Sequence, residues 1–527
     1  MRFFNTAGPS VCERHYCIEP LERFNLEEML SLIDQQKYFV LHAPRQTGKT
    51  TCLLALMDYL NKEGKYKCLY INVEAAQGAR EDVRRGIRAI LNELGTMARL
   101  FLKDGFVKEN QKNILEESGE DAALNEMLTL WAMESAKPIV LLMDEIDSLT
   151  GDTLISVLRQ IRAGYAKRPA MFPQSIVLCG IRDVRDYRIH SSRQKEIITG
   201  GSAFNIKAKS LRLGDFSKKE VQTLYDIHTD ETGQKFHDDA IDLAWDLTQG
   251  QPWLTNALAY EACFDMKEGR DRSIPVTAEM IARAKDNIIL RRETHIDQLF
   301  DKLKEDRVKR VISPILTGTE MENMAWDDIQ YLVDLGLIKK TGKGFVISNA
   351  LYMEVIPREL TLITQENLAP RFDPAWYVAK DGVIEMKKLL EKFQQFFREN
   401  SEVWIERFDY KEAGPQLLLQ AFLQRVVNGG GSIYREYGLG RRRTDLLLVW
   451  PHDKGEKRIV IELKILYKSL EKTIAEGLEQ TFQYMDRCGA ETGHLVIFDR
   501  EENKSWDDKI FYRKDTFKGS PIGVWGM

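Results

Sequence analysis

Tyr38, Phe39, Val40 and Leu41 form an unbroken apolar run, the pattern of a strand covered on both faces, and from Thr51 to Met57 a helical pattern takes over. Ala43 to Thr50 lie between as a polar turn. Apolar runs recur at 67–74, 138–147 and 175–180; the first closes on Asn72 and Glu74, the second on Asp144, Glu145 and Asp147. From about 78 to 135 the chain is charge-rich, with amphipathic faces marked by Ile90, Leu91 and Leu94 and by Met127, Leu128 and Trp131. Ser217 followed by Glu220 is a capping box that starts a helical region, and Gly250, Gln251 and Pro252 open another helix within it. Strands alternating with helices predict an α/β fold with a mainly parallel sheet.

The second half changes character. Residues 301–360 read as two helices and two short strands at 337–340 and 344–348, the pattern of a winged helix; its second helix carries Asp327, Asp328 and Asp334. A recognition helix needs phosphate-neutralising charge, so a packing role is expected for it rather than DNA reading. Residues 367–382, with Pro370 and Pro374, form a linker before an amphipathic helix at 386–397. A loop and buried helix at 411–424 stop at Asn428, Gly429, Gly430 and Gly431. Strands follow at 432–437, 438–450 and 458–464 with a turn at 451–456, then a helix and a strand at 494–499. The expected division is 1–205 core, 206–300 helical lid, 301–365 winged helix, 366–400 linker and helix, and 401–527 second α/β domain.

Composition adds bounds. At 527 residues, 43% hydrophobic and 29% charged, the chain exceeds one ordinary core and reads as a soluble protein of about three domains. A net charge of −5 leaves nucleic-acid binding to local patches. The seven cysteines, at 12, 17, 52, 68, 179, 263 and 488, include no CxxC pair and read as reduced thiols of a cytoplasmic protein. Neither a signal-type leader nor a run of about 18 apolar residues is found, so no membrane span is expected.

The turn after the first strand is the first candidate site. Backbone N–H groups of Ala43, Pro44's neighbours Arg45, Gln46, Thr47, Gly48, Lys49, Thr50 and Thr51, with the dipole of the following helix, favour a phosphate. Lys49 would reach the β and γ phosphates, Thr50 would ligate Mg²⁺, Asp144 would hold that ion through water, and Glu145 would orient the attacking water. The stretch resembles the Walker A signature, with Ala43 where glycine usually opens it, and 138–147 resembles Walker B. A plain glycine turn with a surface lysine is the alternative. Arg182 or Arg185 stands where related ATPases sense the γ-phosphate, with structural salt bridging as the alternative. Tyr16 or Pro20 could stack on adenine, although packing is the expected role. The Gly250 to Pro252 segment resembles the Gly-x-Pro feature of the STAND and origin-recognition-like branch of AAA+ ATPases, which implies that Pro252 and its lid lean on the nucleotide.

The second candidate site lies in the last domain. Alternation sets Glu462 and Lys464 on one strand face, and Asp445 on the neighbouring strand reaches the same point. Two carboxylates and a lysine can hold Mg²⁺ and align water with a scissile phosphate. The arrangement resembles the PD-(D/E)xK nuclease superfamily, with Thr444 where proline would stand, and Gln480 with Tyr484 resembles the QxxxY motif of RecB-type nucleases. The first-helix histidine common there is absent; Glu412 or Gln416 is the nearest polar residue. Arg441, Arg442 and Arg443 form a local basic cluster fit to position phosphate, or a solvated loop. A salt-bridge ladder is the plain alternative for Asp445, Glu462 and Lys464.

The whole chain resembles bacterial fusions of an AAA-ATPase-like domain with a nuclease-like domain. The resemblance implies ATP and Mg²⁺ as cofactors, DNA as partner, a hydrolysis cycle that controls cleavage, and genome defence as a setting; self-association stays open. Two other readings remain: a nucleotide switch that binds without cutting, and a DNA loader that uses the winged helix.

Overall fold

The structure is a computed structural model and describes residues 2–527 apart from 185–187, 192–195, 292, 318–323, 343, 361–376, 380–381, 408–418, 420–421, 424–431, 440–441, 453–454, 467–468, 500 and 502–503. Two compact units result: Met1–Asp301 with Asn323–Met353, and Lys302–Glu322 with Glu354–Met527.

The first unit is built on β1 (Tyr38–His42), β2 (Lys67–Asn72), β3 (Ile139–Asp144), β4 (Ser175–Gly180) and, after the hairpin β5 (Arg188–Ser191) and β6 (Glu196–Thr199), β7 (Lys207–Arg212). Their order is β2-β3-β4-β1-β7 with every pairing parallel. Helices α1 (Leu26–Asp34) and α2 (Lys49–Glu63) cover one face, where Phe39, Leu41, Val140 and Leu142 pack on Ile33, Leu53 and Leu56. On the other face α3 (Val83–Leu102), α4 (Phe106–Ser118), α5 (Ala123–Glu134) and α6 (Gly151–Ala163) bury Tyr38, Val40, Leu141 and Met143 against Ile87, Trp131 and Leu158. Successive residues of β1 thus feed opposite cores, which is why its sequence is apolar without alternation. The edge strand β7 has no such run: Lys209 and Arg212 lie on its exposed side while Lys207 is buried in an ion pair with Asp183, and the apolar pattern does not predict it.

After α7 (Gly200–Ala203), which packs beside α6 on the core, the helical region expected as a lid contains α8 (Lys218–Thr232), α9 (Asp238–Thr248), α10 (Pro252–Tyr260) and α11 (Ala278–Leu290). The capping box forms, with Ser217 and Glu220 each bonding the other's backbone N–H. Then come α12 (Thr294–Leu303), α13 (Asp306–Thr317), α14 (Trp326–Asp334), β8 (Ile338–Thr341), β9 (Gly344–Ile347) and α15 (Ala350–Leu360). The stretch read as one winged-helix module is shared: Asn323–Met353 groups with the first unit and Lys302–Glu322 with the second.

The second unit holds a mixed sheet of order β10-β11-β12-β13-β15-β14, made by β10 (Ser432–Leu439), β11 (Arg442–His452), β12 (Gly455–Ile465), β13 (Thr492–Phe498), β14 (Phe511–Phe517) and β15 (Ser520–Gly526). Helix α16 (Met386–Arg407) covers one face through Leu389, Leu390 and Phe393. Helix α17 (Leu470–Cys488) covers the other through Ile474, Leu478 and Met485. The expected turn at 451–456 is shorter, because Pro451 and His452 still pair in β11 and Gly455 already pairs in β12. Most of the expected linker lies outside the described residues, as do Arg185, Glu412, Gln416 and Arg441. Among the described residues no helix is long and apolar enough to cross a membrane, and all seven cysteines are free thiols.

Candidate functional site

β1 delivers the phosphate loop at the carboxyl edge of the sheet. Ala43 continues the strand by donating its N–H to Gly180 O (3.2 Å), and Thr47 Oγ1 closes the loop on Pro44 O (2.8 Å). Arg45 is exposed, so the loop's shape comes from its backbone and not from this side chain. Gly48 caps α2, whose first residues are Lys49, Thr50 and Thr51. The Lys49 ammonium is folded back on the carbonyls of Ala43 (3.0 Å) and Pro44 (2.9 Å), which places its charge inside the curve of the loop. Arg23 braces the loop from outside, donating to Thr47 O (2.5 Å) and to Gly214 O (2.6 Å) while its guanidinium lies over Phe216 (4.6 Å).

β3 brings Asp144 to the same edge, fully buried. Thr50 Oγ1 donates to Asp144 Oδ2 (2.7 Å), Tyr70 OH donates to the same oxygen (3.1 Å), and Glu145 N donates to Oδ1 (2.9 Å). Burial and then Asp147 push the Glu145 carboxyl up to about 7, with Lys49 opposing. Its backbone is left-handed, φ 58°, a conformation that aims the side chain away from the strand axis. Asp147 accepts from Ile181 N (3.0 Å), tying this corner to the end of β4.

These residues fit Mg²⁺. Thr50 Oγ1 and Asp144 Oδ2 are hard oxygen donors already in contact, and Mg²⁺ ordinarily takes one or two carboxylates with substrate phosphates and water. Among the described residues there is no group of three or more His, Cys, Asp or Glu that could hold a metal.

In the second unit, Glu462 and Lys464 share the face of β12 covered by α17. Lys464 Nζ donates to Glu462 Oε1 (2.9 Å), and Glu462 is 4% exposed. β11 and β12 pair with Leu446 opposite Ile461, so one further step of the same register sets Asp445 opposite Glu462; the Asp445 side chain lies outside the described residues, as do those of Arg442 and Arg443. Gly477 lets α17 lie close on β13: a Cβ there would stand 2.5 Å from Leu495 Cδ2. Tyr484 is buried on that helix, and one turn earlier the Gln480 Oε1 is buried with no hydrogen-bond partner among the described residues.

Residues 33–187 match the family model of the AAA domain. They form an AAA-type ATPase domain. Among solved structures, a Walker-type ATPase of Pyrococcus abyssi is 15% identical with a TM-score of 0.45, covering 67% of this chain and 99% of its own. Cdc6p of Pyrobaculum aerophilum is 15% identical with a TM-score of 0.34 over 65% and 93%. The RuvB Holliday junction branch migration motor of Thermotoga maritima is 12% identical with a TM-score of 0.33 over 63% and 95%. No curated protein matches the chain.

Within the ATPase domain and its lid, the remaining sequence candidates separate. Arg182 is engaged by α14: its Nε donates to Asp334 Oδ2 (3.1 Å), its Nη2 stands 3.7 Å from Asp327, and it lies over Tyr331 (5.1 Å). The acidic residues of α14 are thus internal partners of the core, and Gly336 beyond them approaches Pro44 so closely that a Cβ would stand 2.8 Å from its ring. Pro252 is buried at the first turn of α10, and Phe216 N donates to Gly250 O (2.8 Å), so this segment meets the residue that Arg23 covers. Tyr16 sits in the lid's aromatic cluster with Phe4 and His228, its OH 3.1 Å from His228 Nδ1 and its phenol pushed up to about 12 by burial. Pro20 is buried and begins the turn Pro20–Arg23.

Sequence reasoning missed Arg23, Tyr70 and His295. Each contacts the site from a separate element, and none stands in a motif of fixed spacing.

Proposed function

We propose that the protein is an ATP-hydrolysing switch whose nucleotide cycle controls a Mg²⁺-dependent DNA phosphodiesterase in its C-terminal α/β unit. The ATPase half rests on the contact of Thr50 with Asp144 beside the raised carboxyl of Glu145. Lys49 and the loop N–H groups bind and orient the phosphates, and Glu145, once ionised, orients the attacking water. Bound Mg²⁺ supplies charge neutralisation on the phosphates.

The nuclease half is carried by one observation, the buried Glu462 paired with Lys464 beneath α17. Burying a carboxylate inside a sheet costs stability unless it is paired, and replacing such a pair by apolar residues is often neutral or stabilising, so its position calls for a chemical use. With Asp445 in register, Glu462 would hold Mg²⁺, Lys464 would stabilise developing negative charge, and Gln480 and Tyr484 would orient substrate from the helix. Defence of the genome is the setting that the resemblance to ATPase–nuclease fusions suggests.

Incubation with single- and double-stranded DNA and Mg²⁺ or Mn²⁺ tests this half. Cleavage abolished by Glu462→Ala and by Lys464→Ala is the expected result. No cleavage, or cleavage indifferent to both, favours a nucleotide switch that binds without cutting. The loader reading predicts loss of DNA binding on deletion of 301–365; the ion pairs of Asp327 and Asp334 with Arg182 speak against a DNA-reading α14.

A further inference from the structure

Gln46, in the phosphate loop, has a left-handed backbone, φ 56°, which side chains other than glycine rarely adopt. Its side-chain Oε1 is hydrogen-bonded to His295 Nδ1, on α12. An amide oxygen only accepts, so Nδ1 carries the imidazole proton and Nε2 accepts from Tyr352 OH, 2.5 Å away at the start of α15. The His295 ring is stacked on Trp253 (4.9 Å, 17°) on one side and Tyr352 (5.9 Å, 20°) on another. Trp253 follows Pro252 in the lid and donates to Thr6 O (2.7 Å). Burial holds the imidazole down to about 4, so the junction is neutral and needs no counter-ion.

We propose that His295 is a positioning residue of the ATP site: it clamps the phosphate loop in the shape that Gln46 alone disfavours and transmits that shape to the lid through Trp253. The proposal rests on the ATP-site reading. Both arms of the junction lie within the first compact unit, and Tyr352 opens the helix by which the chain leaves it.

Binding of a non-hydrolysable ATP analogue is the test. His295→Ala is expected to weaken binding about tenfold, the upper range for one lost hydrogen bond. Adding Gln46→Gly should recover it to within about threefold, since glycine takes a positive φ without a clamp; a residue that merely supports the fold would not be rescued this way. The emission of Trp253, isolated by difference from Trp253→Phe, should respond to the analogue in the wild type and not in His295→Ala. Tyr352→Phe, which keeps the packing and deletes only the hydroxyl, should weaken binding by about threefold and covers the case in which His295→Ala fails to fold. Wild-type affinity in His295→Ala or Tyr352→Phe, no recovery in the double variant, or an unchanged Trp253 response in His295→Ala overturns the clamp while Lys49-dependent binding still stands. A wild-type protein that binds no analogue overturns the ATP reading and the clamp together.

Discussion

The two candidate sites differ in what makes them. The phosphate loop is contiguous: Ala43 to Thr51 supply its shape through backbone atoms and a helix start, and only Asp144, Glu145 and outside braces come from elsewhere. The C-terminal candidate would draw on three separate elements, β11, β12 and α17, brought together by strand register and a close helix–sheet contact rather than by one contiguous loop. A loop built from backbone tolerates change at most of its side chains and fails at Lys49, Thr50 and the carboxylates. A site built from side chains should fail at each of its members.

The largest expected effect breaks the first site: Lys49→Ala should lower ATP turnover by about 10³-fold, since its ammonium is the charge held inside the curve of the loop. Glu462→Ala should lower DNA cleavage by about 10²–10³-fold and leave ATP turnover without DNA unchanged. A parallel loss of both activities would erase the distinction between the sites. Glu145→Gln should cost about 10²-fold in ATP turnover and retain nucleotide binding. Because the Glu145 carboxyl titrates at about 7 and acts ionised, wild-type kcat/KM should rise with pH through that value, and Glu145→Gln should flatten the rise. A wild-type profile flat across the neutral range would remove Glu145 from that role. An effect of comparable size concerns neither chemistry: Asp334→Ala leaves Arg182 buried without its nearest partner and should cost about 3 kcal/mol in urea unfolding. Unchanged stability with altered DNA affinity would instead make α14 a DNA surface.

What was legible in the sequence follows the same division. β1, β3 and β4 were readable because strands of a parallel sheet covered on both faces are continuous apolar runs, and the loop and its carboxylates stand at their ends. The capping box of α8 was readable because both partners lie within one turn. The polar edge strands β7 and β14 were not, since half-exposed edge strands lack an apolar run and Arg513 and Lys514 interrupt the pattern of β14. Glu462, Lys464, Gln480 and Tyr484 were singled out by spacing within single elements, and the structure packs those two elements, β12 and α17, against each other. Arg182 carried two open readings, and its pairing with Asp334 is a contact across 152 residues that no local pattern contains. Arg23 and His295 share that difficulty: their partners, backbone carbonyls for the one and Gln46, Tyr352 and Trp253 for the other, lie far away in the sequence and leave no trace in composition or periodicity.

The control of one site by the other is tested most directly by DNA cleavage measured with ATP, with a non-hydrolysable analogue and with no nucleotide, in wild type and in Lys49→Ala. The expected result is a wild-type rate that differs among the three conditions and a Lys49→Ala rate that does not. Cleavage by Lys49→Ala at the wild-type rate, with the same dependence on nucleotide, would contradict the division of labour between the phosphate loop and Glu462.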